Sequence, residues 1–171
     1  MTAESIERYI SIVTEQQKKL RFEHLSYDDV LSLGLFVIKT AKNNYSKPVS
    51  VRIDIEGVTV FYYLMEGTGL NNDWWMKKKL GGCQFTEESS FMNFLKINAS
   101  NRYDEFPWSR NESSFAVVGG CFPLCTTEGK NIGYLMVSGL PHQEDHQLIV
   151  DTLSGFLGID VPSVLDGGSF K

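Results

Sequence analysis

The sequence predicts an α+β protein in which helices flank a single five-stranded antiparallel sheet. Apolar residues recur at helical spacing near both ends of the chain, whereas apolar and polar residues alternate in the segment VSVRIDIEGVTVFYYLM. Strands joined by short turns pair antiparallel, so a two-stranded block and a three-stranded block are expected to form one sheet. The predicted order of elements is α-α-β-β-α-β-β-β-α.

The first two predicted helices precede the sheet. Residues 4–20 place Ile6, Tyr9 and Val13 on one face and fill the other face with Glu, Gln and Lys, which is typical of an amphipathic helix. A second helix is predicted to begin at Ser26, because the hydroxyl can cap the helix and acids follow in its first turn. It is expected to end near Tyr45, before Pro48.

The middle of the chain predicts a hairpin followed by helical structure. Glu56-Gly57 divides the alternating segment and is expected to form the hairpin turn. Asn71-Asn72-Asp73 supplies caps for a helix that opens with Trp74 and Trp75. Glycine weakens a helix interior by about 1 kcal/mol, so Gly81-Gly82 predicts either a kink or two helices, the second over roughly residues 87–97.

The last third of the chain predicts a loop, three strands and a closing helix. Residues 100–113 are polar and are expected to form the loop. The strand-like runs FAVVGG, CFPLCT and NIGYLMVSG follow, and a helix covers residues 141–157. No repeat or linker divides the chain, so one domain is predicted over residues 1–171, with a core at about 4–157 and a loose tail at 158–171.

Composition limits the classes of function. The net charge of −5 disfavours nucleic acid as a partner, because phosphate binding needs clustered Lys and Arg. The cluster Lys77-Lys78-Lys79 is interpreted as a solvated helix face. The apolar run LSLGLFVI is far shorter than the ~18 residues of a spanning helix, so no membrane insertion is expected. The N-terminal segment lacks the apolar core of a signal peptide, and three cysteines favour free thiols in a reducing cytoplasm.

The segment SGLPHQEDH, residues 138–146, carries the densest group of titratable side chains. Helical spacing places His142 and His146 on the same face as the apolar stripe of the closing helix. Two histidines four residues apart can chelate a metal, but without a third ligand this spacing is not diagnostic, and no metal site is predicted. Pro141 and the two acids also fit an ordinary helix start, with His146 hydrogen-bonded at the edge of the core.

Three other features have structural and functional interpretations. C-x-x-x-C at Cys121 and Cys125 is not a zinc spacing, and Pro123 between them favours an edge strand or a bulge. Gly119-Gly120 indicates a tight turn or the close approach of a ligand or another chain. Trp74 and Trp75 diverge by about 100° on a helix, so one is exposed unless an interface covers it.

Three motifs, NNDWWMKKK, GGCFPL and GYLMVSGLPHQEDH, together resemble the GlcG/HbpS-like group of haem-degrading domain proteins. They resemble most closely the small branch of that group found in bacteria and fungi, with its (N/D)ND(F/W)W and SGL…EDH motifs. The resemblance covers roughly residues 26–157. It implies a helix-flanked antiparallel sheet, homo-oligomers and, for some members, haem binding or breakdown. His142 falls in a variable part of the third motif.

Three functions remain open from the sequence. The first is haem binding or degradation with His146 or its neighbours at the iron. The second is a non-enzymatic homo-oligomer that binds other proteins, such as chaperone or targeting components, through the Trp helix and the tail. The third is an enzyme that uses Glu144, Asp145 and His146 near a subunit cleft. The candidate residues for a ligand pocket or interface are Asp73, Trp75, Lys78, Gly120, Ser138, Glu144, Asp145 and His146.

Overall fold

The computed structural model describes residues 2–100 and 106–166, so residues 101–105 of the expected loop and 167–171 of the expected tail lie outside the described residues. The helices are α1 (Ala3–Lys19), α2 (Tyr27–Asn44), α3 (Leu70–Thr86), α4 (Ser90–Ser100) and α5 (His142–Leu157), with a 3-10 turn at Pro107–Arg110. The strands are β1 (Arg21–Phe22), β2 (Ser50–Ile55), β3 (Val58–Leu64), β4 (Cys121–Thr126) and β5 (Asn131–Ser138).

The predicted class is confirmed: the fold is α+β, with a single five-stranded sheet and helices on both faces. The strand order is β1-β4-β5-β2-β3. One detail of the prediction is wrong, because β1 pairs with β4 in parallel through Arg21 and Phe22, and the sheet is therefore mixed. The segment FAVVGG is not a strand. The Ala116 amide bonds the Lys78 carbonyl of α3 instead of a neighbouring strand.

The local signals for α2 and the hairpin are confirmed. Ser26 and Asp29 form a capping box, with the Asp29 amide 3.1 Å from the Ser26 hydroxyl and the Ser26 amide 2.8 Å from the Asp29 carboxylate. Glu56 and Gly57 both have positive φ, 47° and 82°, which suits the tight turn between β2 and β3.

The helix α3 runs through Gly81-Gly82 to Thr86, so it ends after the glycines and not at them. A Cβ at Gly81 would lie 2.7 Å from the Ser114 carbonyl oxygen, so the glycine allows the 111–120 segment to cross the helix closely. Two helices are present, as one of the alternatives predicted. They separate at Glu87, whose φ of 59° is left-handed, and the second helix begins at Ser90.

Three groups of apolar residues make up the core. The largest lies between one face of the sheet and the helices α2 and α5. A smaller one lies between α3 and the opposite face, around Met76, Cys121 and Met136. The third joins α1, α4 and Val164. Each helix thus buries one apolar face, which is the main source of its stability.

Residues 158–166 pack on the protein and do not form the loose tail that the sequence predicts. Val164 is fully buried, and its amide donates to the Gln147 side chain of α5 at 2.8 Å. The Pro162 carbonyl accepts from the Gln16 amide of α1 at 2.7 Å. This segment therefore ties α1 to α5.

Candidate functional site

A cavity of about 300 Å³ lies where α3 and α5 begin and β5 ends. The residues that line it are Asn71, Asn72, Trp75, Lys79, Val118, Ser138, Gly139, Leu140, His142 and Asp145. Its position places the N-terminal turns of two helices, each with free backbone N–H groups, beside the same space. Three of the candidate site residues predicted from the sequence line this cavity: Trp75, Ser138 and Asp145.

An ion pair between Lys79 and Asp145 forms part of the cavity wall. Lys79 Nζ lies 2.7 Å from Asp145 Oδ2, and only 3% of either side chain is exposed. The ammonium also donates to the Val137 carbonyl at 2.9 Å, and the other carboxylate oxygen accepts from the Leu140 amide at 3.0 Å. Burial raises the pKa of Asp145, and Lys79 and the backbone donors oppose that shift.

Gly120 is part of the packing around this ion pair. Its φ is +114°, and an added Cβ would lie 2.5 Å from both Lys79 Nζ and the Val137 carbonyl oxygen. We expect Gly120→Ala to lower the free energy of unfolding by about 2–3 kcal/mol, because it combines backbone strain with overpacking. Urea unfolding measures this. Gly57→Ala, also at positive φ but with nothing within 4 Å of its Cβ, is the control for strain alone.

His142 is the histidine that borders the cavity. Its Nδ1 accepts a hydrogen bond from the Gly119 amide at 3.3 Å, so the proton of the neutral ring lies on Nε2. Phe94 contacts the ring edge-on with a centroid distance of 4.6 Å. Burial and the charge of Lys79 lower the pKa of His142 to about 4, which keeps the ring neutral near pH 7.

His146 lies in the interior of the protein, does not line the cavity and has no exposed surface. The Gln16 amide nitrogen is bound to Pro162, which orients Gln16 Oε1 toward His146 Nε2 at 2.9 Å. His146 therefore donates through Nε2, and its Nδ1 has no hydrogen-bond partner among the described residues. Its ring stacks on Phe91 at 4.8 Å. Burial lowers the pKa of His146 to about 3.

The first turn of α3 is joined to the end of β5 by Asn72. The Oδ1 atom of Asn72 accepts from the Gly69 amide at 3.1 Å, and its Nδ2 donates to the Ser138 carbonyl at 3.2 Å. Asn72 therefore acts from within the helix, whereas the sequence predicted a cap before Trp74. This bridge holds together the two elements that carry the lining residues Trp75 and Ser138.

Asp73, Lys78 and Glu144 do not line the cavity. Asp73 pairs with Lys77 at 2.7 Å and accepts from the Tyr62 hydroxyl at 3.0 Å. Lys78 Nζ lies 3.6 Å from the centre of the Trp74 ring, a cation–π contact. Glu144 lines a separate cleft with Tyr45 and Lys47. The trio Glu144, Asp145 and His146 thus faces three different environments and does not form one site.

Sequence reasoning missed Lys79, Asn71 and the importance of His142. The interpretation of Lys77-Lys78-Lys79 as a solvated face is wrong for Lys78 and Lys79, which are both buried. The spacing of Lys79 from Asn72 and Trp75, seven and four residues, places all three on one side of the helix and could have identified it. In the described ranges, no three His, Cys, Asp or Glu side chains are close enough to hold a metal ion.

Two exposed apolar side chains of α3 line a groove next to the cavity. Leu70 and Trp74 are 84% and 46% exposed, and with Asn71, Asp73 and Lys77 they line a groove of about 550 Å³. Asn71 borders both this groove and the cavity. Across residues 2–100 and 106–166, no helix combines the length and the apolar character that crossing a bilayer requires.

Comparison with known proteins places these features in a family. The chain is 28% identical over 160 residues to a UPF0303 protein of Serratia proteamaculans, covering 94% of this chain and 99% of that one. It is 32% identical over 148 residues to a UPF0303 protein of Schizosaccharomyces pombe, covering 86% and 83% of the two chains.

Solved structures share the fold. The Ybr137w protein superposes with a TM-score of 0.79 at 24% identity, covering 87% of each chain. The PduOC:Heme complex superposes with a TM-score of 0.60 at 20% identity, covering 81% of this chain and 97% of that one. Residues 25–154 match the family described as haem degrading protein HbpS-like, which confirms the resemblance seen in the sequence. The chain therefore belongs to the HbpS-like family and is a relative of the UPF0303 proteins of bacteria and fungi.

Proposed function

We propose that the protein is a homo-oligomeric, cytoplasmic member of the family that binds a small carboxylate or carbonyl compound in the cavity between α3 and α5. The observation that carries this proposal is the buried ion pair of Lys79 and Asp145 on the cavity wall. Well-packed apolar residues would stabilise the fold as well as or better than such a pair. Charged groups that lie in a cleft and stabilise the fold no better than apolar residues would are candidates for a functional role.

The chemistry of the lining favours a ligand that accepts hydrogen bonds. Lys79 uses two of its three protons on Val137 and Asp145, which leaves one donor. The Asn71 amide, the Trp75 indole and the protonated Nε2 of His142 are further donor groups of the lining residues. The two helix N-termini favour negative charge at the same place. The volume of about 300 Å³ suits a small molecule.

The family name and one structural relative refer to haem. However, neither His142 nor His146 is positioned to serve as the axial ligand of a haem iron. Iron binding through Nε2 of His142 requires the proton on Nδ1, where it would meet the Gly119 amide instead of an acceptor. His146 is sealed in the core. The haem hypothesis with His146 at the iron is therefore not supported by the positions of these side chains.

Binding fits the cavity better than acid–base or nucleophilic catalysis. A histidine with a pKa of about 4 is a weak general base near pH 7. Cys83 and Cys121 are fully buried, and burial raises the pKa of Cys121 well above its usual value. Buried thiols of this kind are unreactive. The proposal therefore includes no reaction.

Proton–nitrogen NMR spectra with acetate, lactate and pyruvate as probes test the proposal. We expect the Trp75 indole and Asn71 amide signals to shift on titration with at least one probe, because they border the cavity. The variant His142→Leu should weaken that binding, because it removes a donor from the cavity wall. The matched variant His24→Leu should preserve it, because His24 is exposed and does not line the cavity. Absence of any saturable shift, or equal binding by both variants, would contradict the proposal.

Hemin titration separates the two ligand classes. A Soret band that is lost in His142→Leu or His146→Leu would support haem as the ligand and would contradict the assignment above.

The alternative function as a protein-interaction module has one feature in its favour, the exposed groove around Leu70 and Trp74. Retention of a partner protein by the native chain but not by Trp74→Ala would favour that alternative.

A further inference from the structure

We infer, on the basis of the proposed function, that the ligand of the cavity between α3 and α5 is a 2-oxo acid. The site would then discriminate against the 2-hydroxy and 2-amino acids of the same carbon skeleton. The three classes differ only at the second carbon. A 2-oxo acid carries an acceptor there, a 2-hydroxy acid adds a donor, and a 2-amino acid carries a cation. The donors and acceptors that the cavity wall leaves unpaired decide between them.

The acceptors of the cavity wall are engaged within the protein. Both carboxylate oxygens of Asp145 accept hydrogen bonds, Oδ2 from Lys79 Nζ at 2.7 Å and Oδ1 from the Leu140 amide at 3.0 Å. The Ser138 carbonyl accepts from Asn72 Nδ2 at 3.2 Å. The Oδ1 atom of Asn72 accepts from a backbone amide at the start of the helix at 3.1 Å. A donor on the ligand therefore has to compete with donors of the protein for each of these oxygens.

Three donors of the lining residues remain unpaired. Lys79 has one proton left after its hydrogen bonds to Asp145 and to a backbone carbonyl. Within the described ranges, the Trp75 indole N–H has no acceptor. The same holds for the Nε2 proton of His142, because the Gly119 amide occupies only Nδ1 of that ring. Unpaired donors in a partly buried cavity favour a ligand that brings acceptors.

These donors belong to residues that lie around the ion pair. Trp75 and Lys79 are one helical turn apart on α3, about 6 Å along its axis. His142 lies less than one turn before Asp145 on α5, and Asp145 contacts Lys79 at 2.7 Å. A 2-oxo acid presents its carboxylate and its carbonyl oxygen on adjacent carbons and has no donor at neutral pH. Its negative charge also suits the two helix N-termini.

The two related classes each bring a donor that suits this wall poorly. Only the Asn71 side chain and the Ser138 hydroxyl, among the lining side chains, combine an acceptor with no printed protein donor. The hydroxyl of a 2-hydroxy acid depends on one of them, whereas a carbonyl oxygen depends on neither. The ammonium group of a 2-amino acid would face the Lys79 ammonium. Burial of an unpaired donor is unfavourable, and more so when the donor is charged.

Titration of the native full chain with pyruvate, lactate and alanine, followed by the Trp75 indole signal in NMR spectra, tests this inference. We expect either enantiomer of lactate to bind about tenfold more weakly than pyruvate. Alanine should give no saturable shift. Lactate or alanine binding as tightly as pyruvate would overturn the inference and leave the proposed function standing. Binding of acetate without binding of pyruvate would do the same, whereas absence of binding by all four compounds would overturn both.

An added acceptor tests the physical reason for the selectivity. Asn71→Asp replaces an amide with a carboxylate of the same shape in the first turn of α3, where an acid is favourable. Pyruvate and lactate carry the same charge, so the ratio of their affinities reports only the new acceptor. That ratio should fall at least about threefold. Asn43→Asp makes the same change at an exposed position of α2 and should keep the wild-type ratio. An unchanged ratio in Asn71→Asp would overturn the assignment of the selectivity to the donors of the wall.

Discussion

The Asp145→Ala variant is expected to lose about 3–5 kcal/mol of unfolding free energy, because it leaves the Lys79 ammonium buried without its carboxylate. The Leu140 amide loses its acceptor in the same variant. Since most of the loss comes from the uncompensated charge, replacing both partners with apolar residues, Lys79→Met with Asp145→Val, should recover a large part of it. Guanidinium unfolding at pH 7 measures all three proteins.

A second ion pair in the same helix supplies the control. Lys77 and Asp73 lie at the same distance, 2.7 Å, but 60% of the Lys77 side chain is exposed. Lys77→Met should therefore cost less than about 1 kcal/mol, because the ammonium it removes is largely solvated and Asp73 keeps the hydrogen bond from the Tyr62 hydroxyl. Equal losses for Lys77→Met and Asp145→Ala would show that burial does not determine the contribution of the Lys79–Asp145 pair.

Stability should fall as the pH is lowered from 6.5 toward 4, and His146 should account for much of that fall. The pKa of His146 is lowered from 6.5 to about 3 by burial, so the unfolded chain binds more protons than the folded one in this window. The stabilisation is complete above pH 6.5 and is lost progressively below it. Between pH 6.5 and 4.5 the expected loss from this one group is about 2–3 kcal/mol.

The His146→Leu variant tests the assignment. It removes the titrating ring, so the difference in unfolding free energy between pH 6.5 and 4.5 should shrink by that amount, although Gln16 loses its partner at every pH. His24→Leu, at an exposed position, should keep the wild-type dependence. Parallel stability curves for the wild type and His146→Leu would contradict the assignment. His142 is half-buried and should contribute a smaller, solvent-screened part.

Local signals in the sequence were sufficient for most elements of the fold. The capping box at Ser26 and the positive-φ turn at Glu56-Gly57 depend on neighbouring residues, and both are where the sequence predicts them. β1 was missed because two residues carry no periodicity and pair with a strand a hundred residues away. FAVVGG has strand composition, but the Ala116 amide donates to α3 and the Gly119 amide to His142, and its contact with β5 is made by the Gly120 carbonyl at the end of the segment. Only the tertiary structure determines these partners.

The candidate site was only partly predictable for the same reason. Asp145 and Ser138 could be identified because they belong to a recognisable motif at the start of a helix. Lys79 could not be separated from Lys77 and Lys78 by residue type, although one points to Asp145, one to Asp73 and one to Trp74. His146 matches the motif better than His142, yet its environment is the protein interior.

The segment at residues 158–166 lies outside the range that matches the family. The match to the family ends at residue 154 and begins at residue 25, so it omits both α1 and this segment. Yet the Pro162 carbonyl orients the Gln16 side chain, whose oxygen accepts the hydrogen bond from His146 Nε2. Val164 packs in the same apolar cluster as Phe91. Without them, a buried histidine and a face of α4 would meet water. The range of 25–154 that matches the family is thus shorter than the unit that folds, which includes both flanking segments.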